Sequence, residues 1–119
     1  MTLLRLLMFV VLHGGFVQSG FAPHYAPNLM TQVAHNRGMS PVACMVSSPV
    51  WPLGTRLWVY GEKTGALLDC TVTDVSHPRD KARHIRTRRV VELSFEVTKA
   101  LCGSTRERVI DCPVVVVKL

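Results

Sequence analysis

The chain has 119 residues and a formal charge of +6, from 14 lysines and arginines against eight acidic residues. This length allows one domain with a modest core and excludes a large multidomain enzyme. The excess of positive charge favours an anionic partner.

The first residues have the layout of a secretory signal peptide. One positive charge, at Arg5, precedes an apolar run over residues 6–12, and Val17 and Ser19 stand at the two positions that a signal peptidase reads. The run is too short to span a bilayer. We therefore expect a leader at residues 1–19 and a secreted or periplasmic protein without a stable membrane span. We also expect the first twenty residues to lie outside the fold.

Local patterns predict short elements in the first half of the remaining chain. Asn28 can cap a helix that runs to Asn36 and stops before Gly38. Residues 42–48, 56–60 and 66–74 read as strands, and residues 61–65 as a hairpin-like connection. In the second of these strands, Leu57 and Val59 should point inward and Trp58 outward.

The second half continues with a polar loop, a short strand at residues 89–93, a helix from Phe95 to Cys102 and a last strand at residues 107–118. Pro113 within this strand indicates an edge position or a bulge. Several short strands with little helix predict a small all-β barrel or sandwich.

The four cysteines of an exported chain favour disulfide bonds over free thiols. They allow three connectivities, of which we favour Cys44–Cys70, between two predicted strands, and Cys102–Cys112, between a helix end and the last strand. Each bond would contribute about 2–4 kcal/mol. No Cys-x-x-Cys or closely spaced Cys/His pair is present, so the sequence predicts neither a metal nor a cofactor.

Asp74 closes an otherwise apolar strand. Side chains alternate along a strand, so Asp74 should share a face with Leu68, Cys70 and Val72. An acid in this position is either hydrogen-bonded within the structure, where it holds a loop, or set at the mouth of a cleft. Only the second arrangement allows catalysis.

Most of the positive charge follows Asp74 in one loop. The cations are Arg79, Lys81, Arg83, Arg86, Arg88 and Arg89, with His77 and His84 among them. Such a loop can hold an anionic wall polymer or a lipid head group, or can simply be solvated. Nucleic acid fits an exported chain poorly and is not expected as a partner.

Three short motifs follow one another along the chain, and their order is typical of a known family. They are Pro-Leu-Gly-Thr at residues 52–55, Thr-Val-Thr-Asp at 71–74 and Val-Glu-Leu-Ser at 91–94. Together they resemble the rare lipoprotein A-like double-psi β-barrel family, within the expansin- and barwin-like superfamily. The resemblance covers residues 23–119. It implies an all-β fold, a six-stranded double-psi β-barrel with one or two short helices, which we expect to be a monomer.

The resemblance also implies action on a cell-wall glycan, with peptidoglycan as the expected one. Rare lipoprotein A-like enzymes are lytic transglycosylases, whereas expansins loosen plant walls without clear hydrolysis. Asp74 and Glu92 fall where the family has acidic residues. Tyr25, in His-Tyr-Ala-Pro at residues 24–27, looks like part of the aromatic segment that lines the family's groove.

Cleavage of a glycan without water needs a carboxyl group that protonates the glycosidic oxygen and then accepts a proton from the sugar's own hydroxyl. Asp74 is the candidate acid/base and Glu92 its neighbour. The transglycosylase members have a histidine before the Pro-Leu-Gly-Thr turn, where this chain has Ser48. His77 is the candidate replacement.

The candidate glycan-binding residues are Tyr25, Trp51, Arg79 and Arg83. Trp51, which lies between prolines in a loop, is the best aromatic platform for a sugar ring. The sequence thus leaves three functional hypotheses open: a transglycosylase-like enzyme, a non-catalytic wall-binding or loosening module, and a barwin-like protein-interaction domain.

Overall fold

The computed structural model describes residues 16–106 and 108–119. The strands are β1 (Phe16–Phe21), β2 (Met45–Ser48), β3 (Arg56–Gly61), β4 (Leu67–Val75), β5 (Glu92–Leu93) and β6 (Pro113–Lys118). The helices are α1 (Leu29–Asn36), α2 (Pro78–Arg86) and α3 (Phe95–Cys102), with a 3-10 turn at Val109–Asp111. None of the described helices has the length and apolar character needed to cross a membrane.

The six strands form one curled sheet in the order β1-β6-β3-β4-β2-β5. Strands β2 and β4 run parallel, and the other neighbours are antiparallel. Single bridges from Phe21 to Arg89 and from His24 to Leu93 connect the β1 side of the sheet with the β5 side. The predicted six-stranded barrel is therefore confirmed, with three helices where one or two were expected.

The core lies inside this curl and consists mainly of branched aliphatic side chains, which suit a pleated surface. Its fully buried members include Val46, Leu57, Val59, Val72, Leu93, Val114 and Val116. The inward orientation predicted for Leu57 and Val59 is confirmed, and Trp58 between them is partly exposed.

Two disulfide bonds, Cys44–Cys70 and Cys102–Cys112, confirm the favoured connectivity. The first joins the residue before β2 to β4, and the second joins the end of α3 to the residue before β6. Their sequence separations of 26 and 10 residues correspond to about 3.5 and about 2.7 kcal/mol of chain-entropy stabilisation.

Two expectations about the ends of the chain are corrected. Residues 16–20 do not lie outside the fold, because β1 pairs with β6 along its whole length, from Phe16 opposite Lys118 to Phe21 opposite Pro113. Strand β6 is central rather than an edge, and its proline is tolerated because it is the first residue of the strand. The leader itself remains a prediction, and its residues 1–15 lie outside the described part of the chain.

The polar loop predicted after Asp74 is instead a helix, α2. The His77 ring accepts a hydrogen bond from the Arg79 backbone N–H, and Pro78 occupies the first helical turn, where it costs no hydrogen bond. None of the side chains of α2 is buried. Pro78, Ala82 and Ile85 share one face of this helix, but the many charged residues around them favour a loop by composition alone.

Candidate functional site

The direction of Asp74 is set by an irregularity in the pairing of β2 with β4. Val46 lies opposite Val72, but the next residue, Ser47, lies opposite Asp74, so that Thr73 is an extra residue. A β-bulge of this kind reverses the alternation of faces beyond it. Asp74 therefore shares a face with Ser47 and not, as predicted from strict alternation, with Val72.

The Asp74 carboxylate is buried and is contacted by two side chains. The Tyr25 hydroxyl donates a hydrogen bond to Oδ2 at 2.5 Å, and Arg37 contacts Oδ1 through Nε at 3.1 Å and Nη2 at 2.9 Å. Burial and the hydrogen bond to Asp74 raise the pKa of the Tyr25 phenol. The phenol therefore stays protonated and serves as a donor.

These two partners come from elements that the sheet and α1 hold in place. The Tyr25 backbone N–H donates to the Leu93 carbonyl at 2.8 Å, and the Tyr25 ring packs against a cluster that includes the buried Met30 and Met45. Arg37 caps the C-terminus of α1, where its backbone N–H reaches the last carbonyls of the helix. The ion pair thus ties α1 to the end of β4.

Glu92 lies in the same row of the sheet as Asp74. Ser47 of β2 is the register partner of both residues, of Asp74 in β4 and of Glu92 in β5. Laterally paired residues point to one face, so both carboxyl groups lie on the same side of the sheet. Two strand spacings separate their Cα atoms by about 9–10 Å.

The Glu92 carboxyl has a different environment from that of Asp74. Burial is the main cause that raises the pKa of Glu92, and the negative charge of Asp74 adds to it, while the Arg89 guanidinium acts in the opposite direction. None of the hydrogen bonds found among residues 16–106 and 108–119 uses this carboxyl group. The pKa of Glu92 is therefore raised in a site where Asp74 is ion-paired.

A cavity of about 600 Å³, named here the Asp74 cavity, opens over this row. It is lined by Tyr25, Arg37, Ser47, Asp74, Val75, Ser76, His77, Pro78, Asp80, His84 and Glu92. A second cavity of about 450 Å³, the Trp51 cavity, shares Val75, Ser76 and Pro78 with the first. The two cavities are therefore neighbours on the surface, and we refer to them together as the furrow.

The Trp51 cavity is the less polar part of the furrow. Besides the three shared residues, Ser48, Pro49, Val50, Trp51, Pro52 and Lys81 line it. The Ser48 hydroxyl accepts hydrogen bonds from the backbone N–H groups of Trp51 at 2.8 Å and Val50 at 3.1 Å. Ser48 thus holds the turn that contains Trp51.

The two histidines near the furrow have structural partners. His77, the candidate catalytic histidine, lines the Asp74 cavity while its Nδ1 caps α2. His84 Nδ1 lies 2.8 Å from the Ser76 hydroxyl, which fastens α2 to the end of β4. Burial and the neighbouring charges of Arg83 and Arg89 lower the pKa of His84.

Arg79 and Arg83, the candidate cations for binding, are not among the residues that line the furrow. Instead they form ion pairs with Asp80, at 3.6 Å from Arg79 Nε and 3.3 Å from Arg83 Nη2. The structure brings together the other candidates, Asp74, Glu92, His77, Tyr25 and Trp51. The described residues contain no group of three or more potential ligands that could hold a metal ion.

Two residues of the site were missed from the sequence, Arg37 and Ser47, and the role of a third, His84, was not predicted. Nothing in the local pattern around Arg37 links it to an acid 37 residues away. Ser47 could have been found only from the register of β2 between β4 and β5. His84 was noticed in the basic segment, but its role follows from the helical spacing that the sequence pattern did not reveal.

No protein-family model matches this sequence. No curated protein matches it significantly. In structure, the chain is similar to an apo expansin from Clavibacter michiganensis, with a TM-score of 0.54 and 21% identity over 87% of this chain. The chain spans 50% of the length of that expansin. The likeness shows an expansin-like double-psi β-barrel fold, while membership of the rare lipoprotein A-like branch remains a prediction.

Proposed function

We propose that this chain is an exported module that binds and loosens a cell-wall polysaccharide, with peptidoglycan as the first candidate. The observation that carries the proposal is the pair of neighbouring surface cavities, the Asp74 and Trp51 cavities, with volumes of about 600 and 450 Å³. A furrow that is open along the surface suits an extended polymer better than a single small molecule.

The chemistry of the furrow supports a glycan. Sugars offer many hydroxyl groups and an apolar ring face, which carboxylates, guanidinium groups and aromatic side chains recognise. Asp74, Tyr25 and Arg37 supply the polar groups, and Trp51 supplies an aromatic surface. The two disulfides fit an oxidising compartment outside the cytosol. We further propose that the module acts as a monomer.

A second candidate function is glycan cleavage by lytic transglycosylation. The observation in its favour is the pair of acidic side chains on one face, Asp74 with an ion-pair partner and Glu92 with a raised pKa. In such a reaction Glu92 would protonate the glycosidic oxygen as the bond breaks. The resulting carboxylate would then take the proton of the sugar hydroxyl that attacks the anomeric carbon.

Asp74 has a different role in this second candidate from the one expected from the sequence. Its carboxyl group is held by the Tyr25 hydroxyl and the Arg37 guanidinium, so in this candidate it would stabilise positive charge on the sugar while Glu92 transfers the proton. The first candidate needs no proton transfer. There, both acids would bind hydroxyl groups only.

The test is to incubate the purified protein with insoluble sacculi and to measure both the bound protein and the soluble products. Asp74→Asn and Glu92→Gln are the informative variants. Asp69→Asn is a matched control, because Asp69 is also on β4 and also pairs with an arginine, Arg56, but is exposed away from the furrow. We expect the Asp74 variant to bind sacculi less tightly and the Asp69 variant to bind like the unmodified chain.

The products distinguish the two candidates. Binding without soluble fragments supports the wall-binding module. Release of anhydro-sugar fragments that Glu92→Gln abolishes supports the transglycosylase. An unmodified chain that is folded but neither binds nor cleaves sacculi or plant-wall polysaccharide would contradict both and favour a protein partner.

A further inference from the structure

A third cavity, named here the Arg88 cavity, lies beside the furrow where the curled sheet closes on itself. Its volume is about 220 Å³. Ser19 of β1 lines one side, and His84, Arg88 and Arg89, from α2 and the segment that follows it, line another. The bridge between Phe21 and Arg89 joins the two sides. The cavity is therefore a notch at the seam of the barrel, and neither Asp74 nor Trp51 lines it.

The charged groups of the Arg88 cavity are all of one sign. Two guanidinium groups line it, those of Arg88 and Arg89, and none of the lining residues is acidic. In the part of the chain that the structure describes, neither arginine forms an ion pair, although Arg89 acts electrostatically on Glu92. Other arginines do pair with acids, namely Arg37, Arg56, Arg79, Arg83 and Arg108. Positive charge in this cavity is thus left without a balancing acid.

The backbone of Arg88 indicates that its side chain has a use. Its φ of 57° lies in the left-handed region, which favours glycine. This conformation serves the fold, because the Arg88 carbonyl accepts a hydrogen bond from the Phe21 backbone N–H at 2.8 Å. A glycine would form the same bond with less backbone strain. An arginine in this position therefore points to a requirement for the guanidinium group.

The Arg88 guanidinium is oriented by the fold but keeps donors for a ligand. Its Nη2 donates to the Ser19 carbonyl oxygen at 2.9 Å and to the Ser19 hydroxyl at 3.0 Å. The group also lies over the Phe21 ring, 6.0 Å from the centroid. A guanidinium has five N–H groups, and the hydrogen bonds of Arg88 within the described ranges use only Nη2. Its Nε and Nη1 therefore remain for a bound anion.

Two neighbouring guanidinium groups suit a phosphate monoester better than a carboxylate. Each guanidinium presents a planar fork of donors, and a carboxylate has oxygens for one such fork. A phosphate monoester has three acceptor oxygens and a charge of about −1.5 to −2 at pH 7, so it can engage and neutralise both arginines. Val50 and Ile85, which also line the cavity, are partly exposed and offer an apolar contact to the rest of the ester.

We propose that the Arg88 cavity is an anion site that binds the phosphate group of a phosphate monoester, with Arg88 and Arg89 as the binding residues. The site lies outside the furrow and does not depend on the proposed function. The monoester can come from two sources, the head group of a phospholipid or a soluble phosphate compound, and the same two guanidinium groups would bind either.

The test is an NMR titration of the protein with glycerol 3-phosphate at low salt, with acetate as the carboxylate comparison. We expect the backbone signals of residues 84–90 to shift, and acetate to bind about tenfold more weakly. Arg88→Gly preserves the left-handed backbone while it removes the guanidinium group, so it should weaken binding about tenfold, which corresponds to about 1.4 kcal/mol. Arg89→Gln should have a similar effect and replaces the first variant if that one fails to fold.

Arg86→Gln is the matched control. Arg86 is an exposed arginine on α2, close to both binding residues in sequence, but it does not line the cavity. Its replacement removes the same charge and should change the affinity by less than about twofold, or about 0.4 kcal/mol. An equal loss in the Arg86 and Arg88 variants would show a diffuse attraction of anions to the basic segment, and would overturn the proposal.

Vesicles distinguish the two sources of the phosphate. Phosphatidylcholine vesicles that contain phosphatidic acid present the same monoester as glycerol 3-phosphate, and pure phosphatidylcholine vesicles lack it. Tighter binding to the first vesicles than to the soluble compound, abolished by Arg88→Gly, supports the site with a lipid as its ligand. Binding of the soluble compound alone supports it with a soluble ligand. A folded protein that binds neither, or that binds acetate as tightly as glycerol 3-phosphate, overturns the phosphate site.

Discussion

The helices α1 and α2 both border the Asp74 cavity, yet the protein holds them by different means. Helix α1 buries Met30 and Ala34 against Met45, and the residue after it, Arg37, forms the ion pair with Asp74. Helix α2 buries no side chain. It is fastened by the histidine cap at its start and by the hydrogen bond between His84 and Ser76.

The two sides of the furrow therefore differ in how firmly they are held: α1 by buried apolar side chains, and α2 by polar and charged contacts. Apolar burial anchors α1, so that Asp74, Tyr25 and Arg37 keep their geometry. Polar and charged contacts hold α2. These contacts weaken as the salt concentration rises, and they depend on pH through His84. We therefore expect α1 to govern the stability of the site and α2 to govern its response to the ligand and the medium.

The largest expected effect on stability comes from truncating Met30, the buried side chain that packs α1 against the sheet. Met30 is fully buried, so Met30→Ala should lower the free energy of unfolding by about 2–5 kcal/mol. The matched change on α2 is Ile85→Ala, which truncates a side chain that is 49% exposed and should change stability by less than about 0.5 kcal/mol. Urea unfolding of both variants measures the contrast. Equal losses would contradict the distinction between the two helices.

A smaller loss should follow the removal of one ion pair. Arg37→Ala leaves the buried Asp74 carboxylate with the Tyr25 hydroxyl as its remaining side-chain donor, at a cost of about 1.5–3 kcal/mol. Arg83→Ala breaks the pair of α2 with Asp80, which is more exposed, and should cost less than about 1 kcal/mol. Thermal unfolding gives the comparison. A larger loss at Arg83 would show that α2 carries more of the fold than its contacts indicate.

Substitution of Glu92 should have a smaller effect on stability, and it should raise stability rather than lower it. Because its pKa is raised in the folded state, Glu92 contributes stability below the pKa of the unfolded chain, about 4.3, and loses it as pH rises through the folded pKa. Glu92→Gln should therefore make the protein more stable than the unmodified chain at pH 7, and equally stable near pH 3. Melting temperatures at both pH values test this, with no gain at pH 7 as the contrary result.

The smallest effect should be confined to α2. Because the pKa of His84 is lowered, the folded state favours the neutral ring, and stability is lost as pH falls below the unfolded value of about 6.5. We expect hydrogen exchange in α2 to quicken between pH 7 and pH 5, after correction for intrinsic rates, while exchange in α1 stays unchanged. Arg83→Gln, which removes one of the charges that lower this pKa, should reduce the pH effect, and a parallel change in both helices would contradict it.

Local patterns were sufficient to predict most strands and the helix at Leu29–Asn36, although Asn28 forms no side-chain capping bond. The six-stranded barrel was implied by the resemblance of the ordered motifs, and the disulfide pairing by the predicted elements that the cysteines join. The sequence was insufficient for α2, whose many charged residues favour a loop by composition. The network around Asp74 could not be predicted either. Arg37 is distant in sequence, and the pairing of Ser47 with both Asp74 and Glu92 depends on a register that forms only when three strands assemble.

Thr73, the extra residue of the bulge, has a consequence for how this site could arise. Its buried hydroxyl has no hydrogen-bond partner among the described residues, which fits a position kept for its backbone rather than its side chain. Deletion of Thr73 would remove the bulge, and the acid would then follow Val72 directly and still lie opposite Ser47. A lineage could therefore lose or gain this extra residue while the carboxyl group keeps its side of the sheet.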